Sequence, residues 1–251
     1  MKTMDNKALI YDSNCPLCCW YTDKFVQIGV LEENGRISFN ELNPNQTKNL
    51  DAHRSRHEIP LLDTKTGKVE YGIDGLTLIL ANIFPWFRNV LTNKYAKQLV
   101  KPLYSFISYN RRIIVPSKIA ETQTMDCAPD FHFGWRFTLI AFCLTLYYAI
   151  ITVTKVQLSI FNLNLFLVYP VLHIAFILFI TKDDWEQKLW NALGDFSVTN
   201  LSTALLFTPL FLVNYFVPAI SVFFSITTFI LFQIRLMHHF IKRIENKNYS
   251  G

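Results

Sequence analysis

The chain has 251 residues, room for one or two domains, and 51% of them are hydrophobic. Its net charge of +5 is modest and gathers at the borders of apolar runs, and no basic groove with interleaved aromatic residues accompanies it. That balance argues against nucleic acid as a partner and for an anionic lipid surface.

In chain order, Ala8-Leu9-Ile10-Tyr11 reads as a short buried strand, followed by Asp12-Ser13-Asn14-Cys15-Pro16-Leu17-Cys18. Pro16 suits a first helical turn, Leu17, Trp20 or Tyr21, Phe25 and Ile28 recur at helical spacing, and Gly29 is a terminator. Glu32–Gly35 is a turn, and Ile37-Ser38-Phe39 begins a second strand. Asn43–Arg56 is expected to be one polar helix from Pro44. Ile59–Leu62 and Lys68–Tyr71 should form a hairpin around Asp63–Gly67, and Asp74 should cap a helix over Leu76–Ile83. Trp86–Val115 adds a further helical segment. The order strand, helix, strand, helix, hairpin, helix predicts an α/β thioredoxin-like domain over 1–118, with two helices on each side of a small mixed sheet.

A linker over 119–136 leads to an almost uncharged region, 137–234. A transmembrane helix needs about 20 apolar residues. Phe137–Thr154 and Val156–Ile180 each fit one. Leu201–Gln233 is too long for one, and Pro209, Asn214 and Pro218 offer breaks, so two short spans with a turn near Asn214–Pro218 are expected. Two long tilted spans with a re-entrant hairpin are the alternative. The expectation is an all-α transmembrane region of about four helices, followed by a basic tail over 235–251. Basic residues, among them Arg111, Arg112 and Arg136 before the first span, are retained on the cytoplasmic side. This places the N-terminal domain and the tail in the cytoplasm. Met1–Lys7 is polar and Ala8–Tyr11 is too short for a signal-peptide core.

Five cysteines in a cytoplasm-facing protein do not suggest a structural disulfide framework, because cytosolic disulfides are usually transient and catalytic. Cys15 and Cys18 lie where a strand hands over to a helix. Unpaired N–H groups and the positive end of the helix dipole lower a cysteine pKa there, from about 8.5 to roughly 3.5–7.5. Cys15 is therefore the expected attacking thiol, and Cys18, one turn inward and less exposed, the resolving one.

These residues resemble the DCC family of thiol-disulfide oxidoreductases, named for an Asp-x-x-Cys-x-x-Cys pattern that Asp12, Cys15 and Cys18 match. Lys68-Val69-Glu70-Tyr71-Gly72-Ile73-Asp74-Gly75 and Tyr104-Ser105-Phe106-Ile107-Ser108-Tyr109-Asn110-Arg111 extend the resemblance, which covers Lys7 to Ile114 and leaves the spans unexplained. It implies a thioredoxin-like fold and disulfide reductase or oxidase activity. Ser13 stands where the family usually has glycine, and Cys19 is extra, so the partner of Cys15 is open between Cys18 and Cys19.

Asp12 has two open roles: a buried proton acceptor for a cysteine, or a turn residue bonded to nearby N–H groups. Pro60 lies where thioredoxin-like folds place a cis-proline facing the dithiol. His53 and His57 have the spacing of zinc ligands with Cys15 and Cys18 as the other two, but surface histidines on a charged helix fit better. Cys143 reads as a packing residue and Cys127 as a juxtamembrane thiol. His173, inside a span, is ionisable, and a hydrogen bond across the bundle accounts for it. Trp135, Trp185 and Trp190 suit interfacial anchoring. The expected protein is a membrane-tethered thiol-disulfide oxidoreductase working in the reductase direction on a protein disulfide or small thiol. No cofactor and no metal ion are expected. A non-enzymatic membrane protein with a partner-binding domain is the alternative.

Overall fold

A computed structural model describes residues 3–115, 129–153 and 187–216, together with Leu231 and Ile234. The chain divides into two compact units, Met1–His132 and Phe133–Gly251.

The first unit is built on β1 (Lys7–Tyr11), whose alternate side chains enter different cores. Leu9 packs with Val30, Leu31, Leu61 and Ile79, whereas Ile10 packs with Phe39 and Leu62. Helix α1 (Pro16–Gln27) carries the chain to β2 (Arg36–Ser38), parallel to β1 with Ile10 opposite Ile37. Parallel neighbours need such a crossover. Strand β3 (Pro60–Asp63) runs antiparallel to β1, and β4 (Val69–Tyr71) antiparallel to β3. The result is an α/β unit around a mixed four-stranded sheet of order β2-β1-β3-β4.

The polar stretch 43–56, expected as one helix, is two: α2 (Pro44–Lys48) and α3 (Ala52–His57). The break follows from local bonding and from the core. Asp51 accepts from the Arg54 N–H and donates its own N–H to the Tyr71 hydroxyl, while Leu50 packs beside Ile10, Phe39 and Leu62. Helix α4 (Ile73–Ile83) begins one turn earlier than expected. Its cap is Gly72, at φ +57, and not Asp74, which instead pairs with Lys97 at 2.7 Å. A Cβ on Gly72 would lie 3.1 Å from the Glu58 side chain, in a backbone region that L side chains rarely adopt.

After a 3₁₀ turn at Pro85–Phe87 and the short α5 (Arg88–Leu91), α6 (Lys94–Ile114) starts on an Asn93 cap. Its C-terminal half is held inside the unit. The Tyr104 hydroxyl accepts from the Ile59 N–H at 3.0 Å, and the Ser108 hydroxyl donates to the His57 carbonyl.

In the second unit, α7 (Phe133–Val153) includes Phe133–Ile150, a stretch long and apolar enough to cross a membrane. Among the described residues it alone meets that test. Leu139, Cys143 and Tyr147, spaced by four, are its buried hydrophobic residues among those described, as its helical period predicts. Helix α8 (Gln187–Phe216) starts well before the expected span and runs through Pro209 and Asn214 without a break. In an apolar stretch a helix is what satisfies the backbone, so losing the one bond that proline cannot donate costs less than breaking it. Thr199, Asn200 and Thr203, buried on α8, bond back to their own helix, to the carbonyls of Asp195, Phe196 and Thr199. Arg136, expected at a membrane border, is buried. The expected span Val156–Ile180, Pro218, the tail over 235–251, Cys127, His173 and Trp185 lie outside the described residues.

Candidate active site: the dithiol at the head of α1

The site begins with a tight turn. The Cys15 N–H donates to the Asp12 carbonyl at 3.1 Å, and the Asn14 N–H donates to Asp12 Oδ1 at 3.0 Å. Cys15 is then the N-cap of α1 in extended conformation, with Pro16 in the first turn. Its sulfur takes the place of the usual capping oxygen and accepts the Cys18 N–H at 3.4 Å. The helix N-terminus therefore points one of its orphan donors at this sulfur.

The electrostatics separate the two thiols. Hydrogen bonding from the Cys18 thiol is the largest cause lowering the Cys15 pKa, and with the Cys18 N–H and the Arg111 charge it outweighs burial and brings Cys15 down to about 6. The same bond, together with burial, pushes Cys18 far up. Cys15 is thus the more acidic thiol of the pair and Cys18 the one that keeps its proton longer. One expectation is corrected: Cys15 is the less exposed of the two, at 0% against 6% for Cys18. Capping turns its side chain inward under the helix end.

Cys19 is directed elsewhere. Its thiol donates to the Ser13 carbonyl at 3.3 Å, and burial raises its pKa. Of the two roles considered for Asp12, the turn is present in the structure: Oδ1 accepts the Asn14 N–H, while Oδ2 lies 3.2 Å from Arg112 Nη2. Asp12 is buried at 2% exposure. The two arginines were expected among the membrane-border charges. Arg111 is instead buried within the charge field of Cys15, Cys18 and Asp12, and Arg112 pairs with Asp12. The Tyr104–Arg111 stretch of the DCC resemblance was the one sequence sign of this.

No protein-family model, curated protein or solved structure matches the chain.

Pro60 does not have the expected cis bond, since no cis peptide occurs among the described residues. It is the first residue of β3, where a missing N–H is tolerated. The residue before it is tied on both sides: the Ile59 N–H to the Tyr104 hydroxyl, the Ile59 carbonyl to the Gly72 N–H. Ile59, not Pro60, is the one of this pair that lines a cavity of about 280 Å³ running past Cys18, Tyr21, Tyr104 and Arg111.

His53 and His57 do not join the cysteines. Their ring nitrogens and a carboxylate oxygen of Asp130 lie within 4.8 Å of one another, the one metal-capable group among the described residues. His57 Nε2 is 2.9 Å from Asp130 Oδ2, His53 Nε2 is 3.6 Å from the same oxygen, and Arg56 Nη1 is 3.3 Å from Oδ1. Because a guanidinium already faces this carboxylate, the cluster is an ion-pair latch on residues 129–132. His57 is no surface histidine: its ring stacks on Tyr109 at 4.7 Å, and its side chain is 11% exposed.

Proposed function

We propose that the first unit is a thioredoxin-like thiol-disulfide oxidoreductase domain, with Cys15 as the nucleophilic thiolate and Cys18 as the resolving thiol. The observation that carries this reading is the geometry of the cap: Cys15 is the N-cap of α1 and its sulfur accepts the Cys18 N–H at 3.4 Å. A depressed thiolate beside a protonated partner is the state a dithiol needs before exchange. The strand order β2-β1-β3-β4, with the dithiol between β1 and its crossover helix, supports the thioredoxin-like assignment. The Asp12, Cys15 and Cys18 pattern supports membership of the DCC family.

In the forward direction the Cys15 thiolate attacks a substrate disulfide and one substrate sulfur leaves as a thiolate. Cys18 then loses its proton and attacks the Cys15 sulfur of the mixed disulfide, releasing the second substrate thiolate and leaving a Cys15–Cys18 disulfide. The direction of Cys19 toward Ser13 favours Cys18 over Cys19 as the resolving thiol.

The same proposal makes the protein membrane-tethered, with about four spans and the dithiol unit in the cytoplasm, where reduction is favoured. The apolar run Phe133–Ile150 supports the tether. So does the segment 86–101, in which Trp86 and Leu99 are 81% and 82% exposed and which also carries Arg88, Lys94 and Lys101, the mixture of apolar and basic residues suited to a bilayer interface.

A redox titration of the full chain, read by mass after thiol trapping, tests the reading. A reversible Cys15–Cys18 disulfide that disappears in Cys15→Ser is expected. A chain that never forms one, or a Cys15–Cys19 disulfide instead, contradicts the assignment.

A further inference from the structure

The latch of His53, His57 and Asp130 gathers three metal-ligating side chains within the first unit, apart from the dithiol. His53 and His57 are four residues apart on α3 and so share a helix face, with ring centroids 5.5 Å apart. His57 is the fixed member. Its ring stacks on Tyr109, and its Nδ1 is buried without a hydrogen-bond partner, so Nε2 is the nitrogen it presents to Asp130. The His53 side chain is 82% exposed and has room to adjust.

The spacing of the donor atoms is close to that of a coordination shell. A tetrahedral zinc ion, with bonds of about 2.0–2.2 Å, sets its ligand atoms roughly 3.3 Å apart. Asp130 Oδ2 lies 2.9 Å from His57 Nε2 and 3.6 Å from His53 Nε2, on either side of that value. The three donor atoms all lie within 4.8 Å of one another. Arg56 is the charge that opposes a cation here. Its guanidinium faces Oδ1, at 3.3 Å, and leaves Oδ2 to the two histidines. Ligating carboxylates are themselves hydrogen-bonded, so this placement also holds the carboxylate in line. The Arg56 side chain is partly exposed, and water weakens its repulsion. Arg54 is turned to Glu58, at 2.7 Å.

We propose that His53 Nε2, His57 Nε2 and Asp130 Oδ2 bind one divalent zinc-class ion, with water in the remaining position. Two imidazoles and one carboxylate select Zn2+, Co2+ or Ni2+ over Mg2+ and Ca2+, which take oxygen ligands. The ion takes the place of the two histidine contacts on Oδ2 and ties α3 to residues 129–132. Exposed ion pairs hold a segment weakly, whereas a bound ion stabilises the arrangement it binds more as its concentration rises above its dissociation constant. The latch is thereby a tie whose strength follows metal supply. It uses none of the groups of the dithiol reading and stands or falls apart from it.

The test uses Co2+, whose absorption reports its ligands, and equilibrium dialysis of the full chain in detergent. The chain carries Cys15→Ser, Cys18→Ser and Cys19→Ser, so that the dithiol holds no metal. One Co2+ per chain is expected, with weak visible bands, no sulfur-to-cobalt band and displacement by Zn2+ but not by Mg2+. His53→Gln and Asp130→Asn, both at exposed side chains, are each expected to weaken binding by at least about tenfold. No bound Co2+, a sulfur-to-cobalt band, or an affinity unchanged in both variants would overturn the proposal. If the serine background does not fold, the two variants are compared in the chain with its cysteines intact. Loss of one Co2+ per chain in both then supports the site, and no loss overturns it.

Discussion

The dithiol junction and the His53–His57–Asp130 latch both gather ionisable side chains from distant parts of the chain, yet they differ in what surrounds them. At the junction Asp12, Cys15, Cys18 and Arg111 are all buried, so each charge acts on the others through little water. At the latch His53, Arg56 and Asp130 are substantially exposed, and water screens the same kinds of charge. Burial makes the first region a place where protonation is tuned. Exposure makes the second a place where chain is held.

The largest effect that would break this contrast is loss of exchange. Cys15→Ser should reduce disulfide exchange to background in an insulin-reduction or small-disulfide assay, whereas Asp130→Asn should leave it close to the parent rate. Comparable losses from both would mean that the latch is part of the chemistry.

Next is the pH dependence of Cys15. Its thiolate, followed by ultraviolet absorbance, should appear with a midpoint near pH 6, being protonated below and charged above. In Cys18→Ala the principal donor is gone and the midpoint should climb toward the ordinary cysteine value. At pH 7 that lowers the thiolate population roughly thirtyfold, taking the free-cysteine pKa as about 8.5. A midpoint that stays near 6 would leave the backbone N–H and Arg111 as sufficient causes.

Asp12 separates turn from charge. Asp12→Asn keeps an oxygen for the Asn14 N–H but removes the partner of Arg112, while Asp12→Ala removes both. Chemical unfolding should show a loss of about 1 kcal/mol for Asn, because Arg112 is partly solvated, and about 1–3 kcal/mol for Ala. The Cys15 midpoint should fall in both, since the Asp12 charge opposes the thiolate. A rise would instead assign Asp12 to proton removal.

The smallest effect belongs to the latch. The His57 hydrogen bond, followed by Arg56, holds the Asp130 pKa below its usual value. The group's contribution is therefore present above the ordinary carboxylate range and lost as pH falls through its lowered value. Proteolysis between the two units should quicken in that acid window, and Asp130→Asn should be fast at every pH, with at most about 1 kcal/mol lost in unfolding. An unchanged cleavage rate would mean the ion pairs do not hold the segment.

The local features were legible because their causes are local. The strand Ala8–Tyr11, the start of α1 at Pro16 and its end before Gly29 follow from apolar spacing, a missing N–H and a left-handed glycine, at φ +73. The hairpin around Asp63–Gly67 is likewise a matter of neighbours. Where reading by neighbours failed, a residue from afar decided. Tyr71 and the Ile10 core help break the 43–56 helix, and Gly72 bonds to Ile59 where Asp74 was expected to cap.

The sequence by itself determined that Cys15 sits at the head of a helix, because Asp12, Pro16 and the flanking apolar runs act within a few residues. It also determined that Phe137–Thr154 is apolar enough for a membrane, since that depends on composition alone, while the helix that carries it starts at Phe133. Only the tertiary structure decided which way the cysteines face, that Arg112 answers Asp12 across 100 residues, and that a cavity opens on Cys18 and not Cys15. Spacing along a chain constrains the backbone nearby. Burial and charge pairing depend on what the fold brings back, and nothing in the local spacing encodes them.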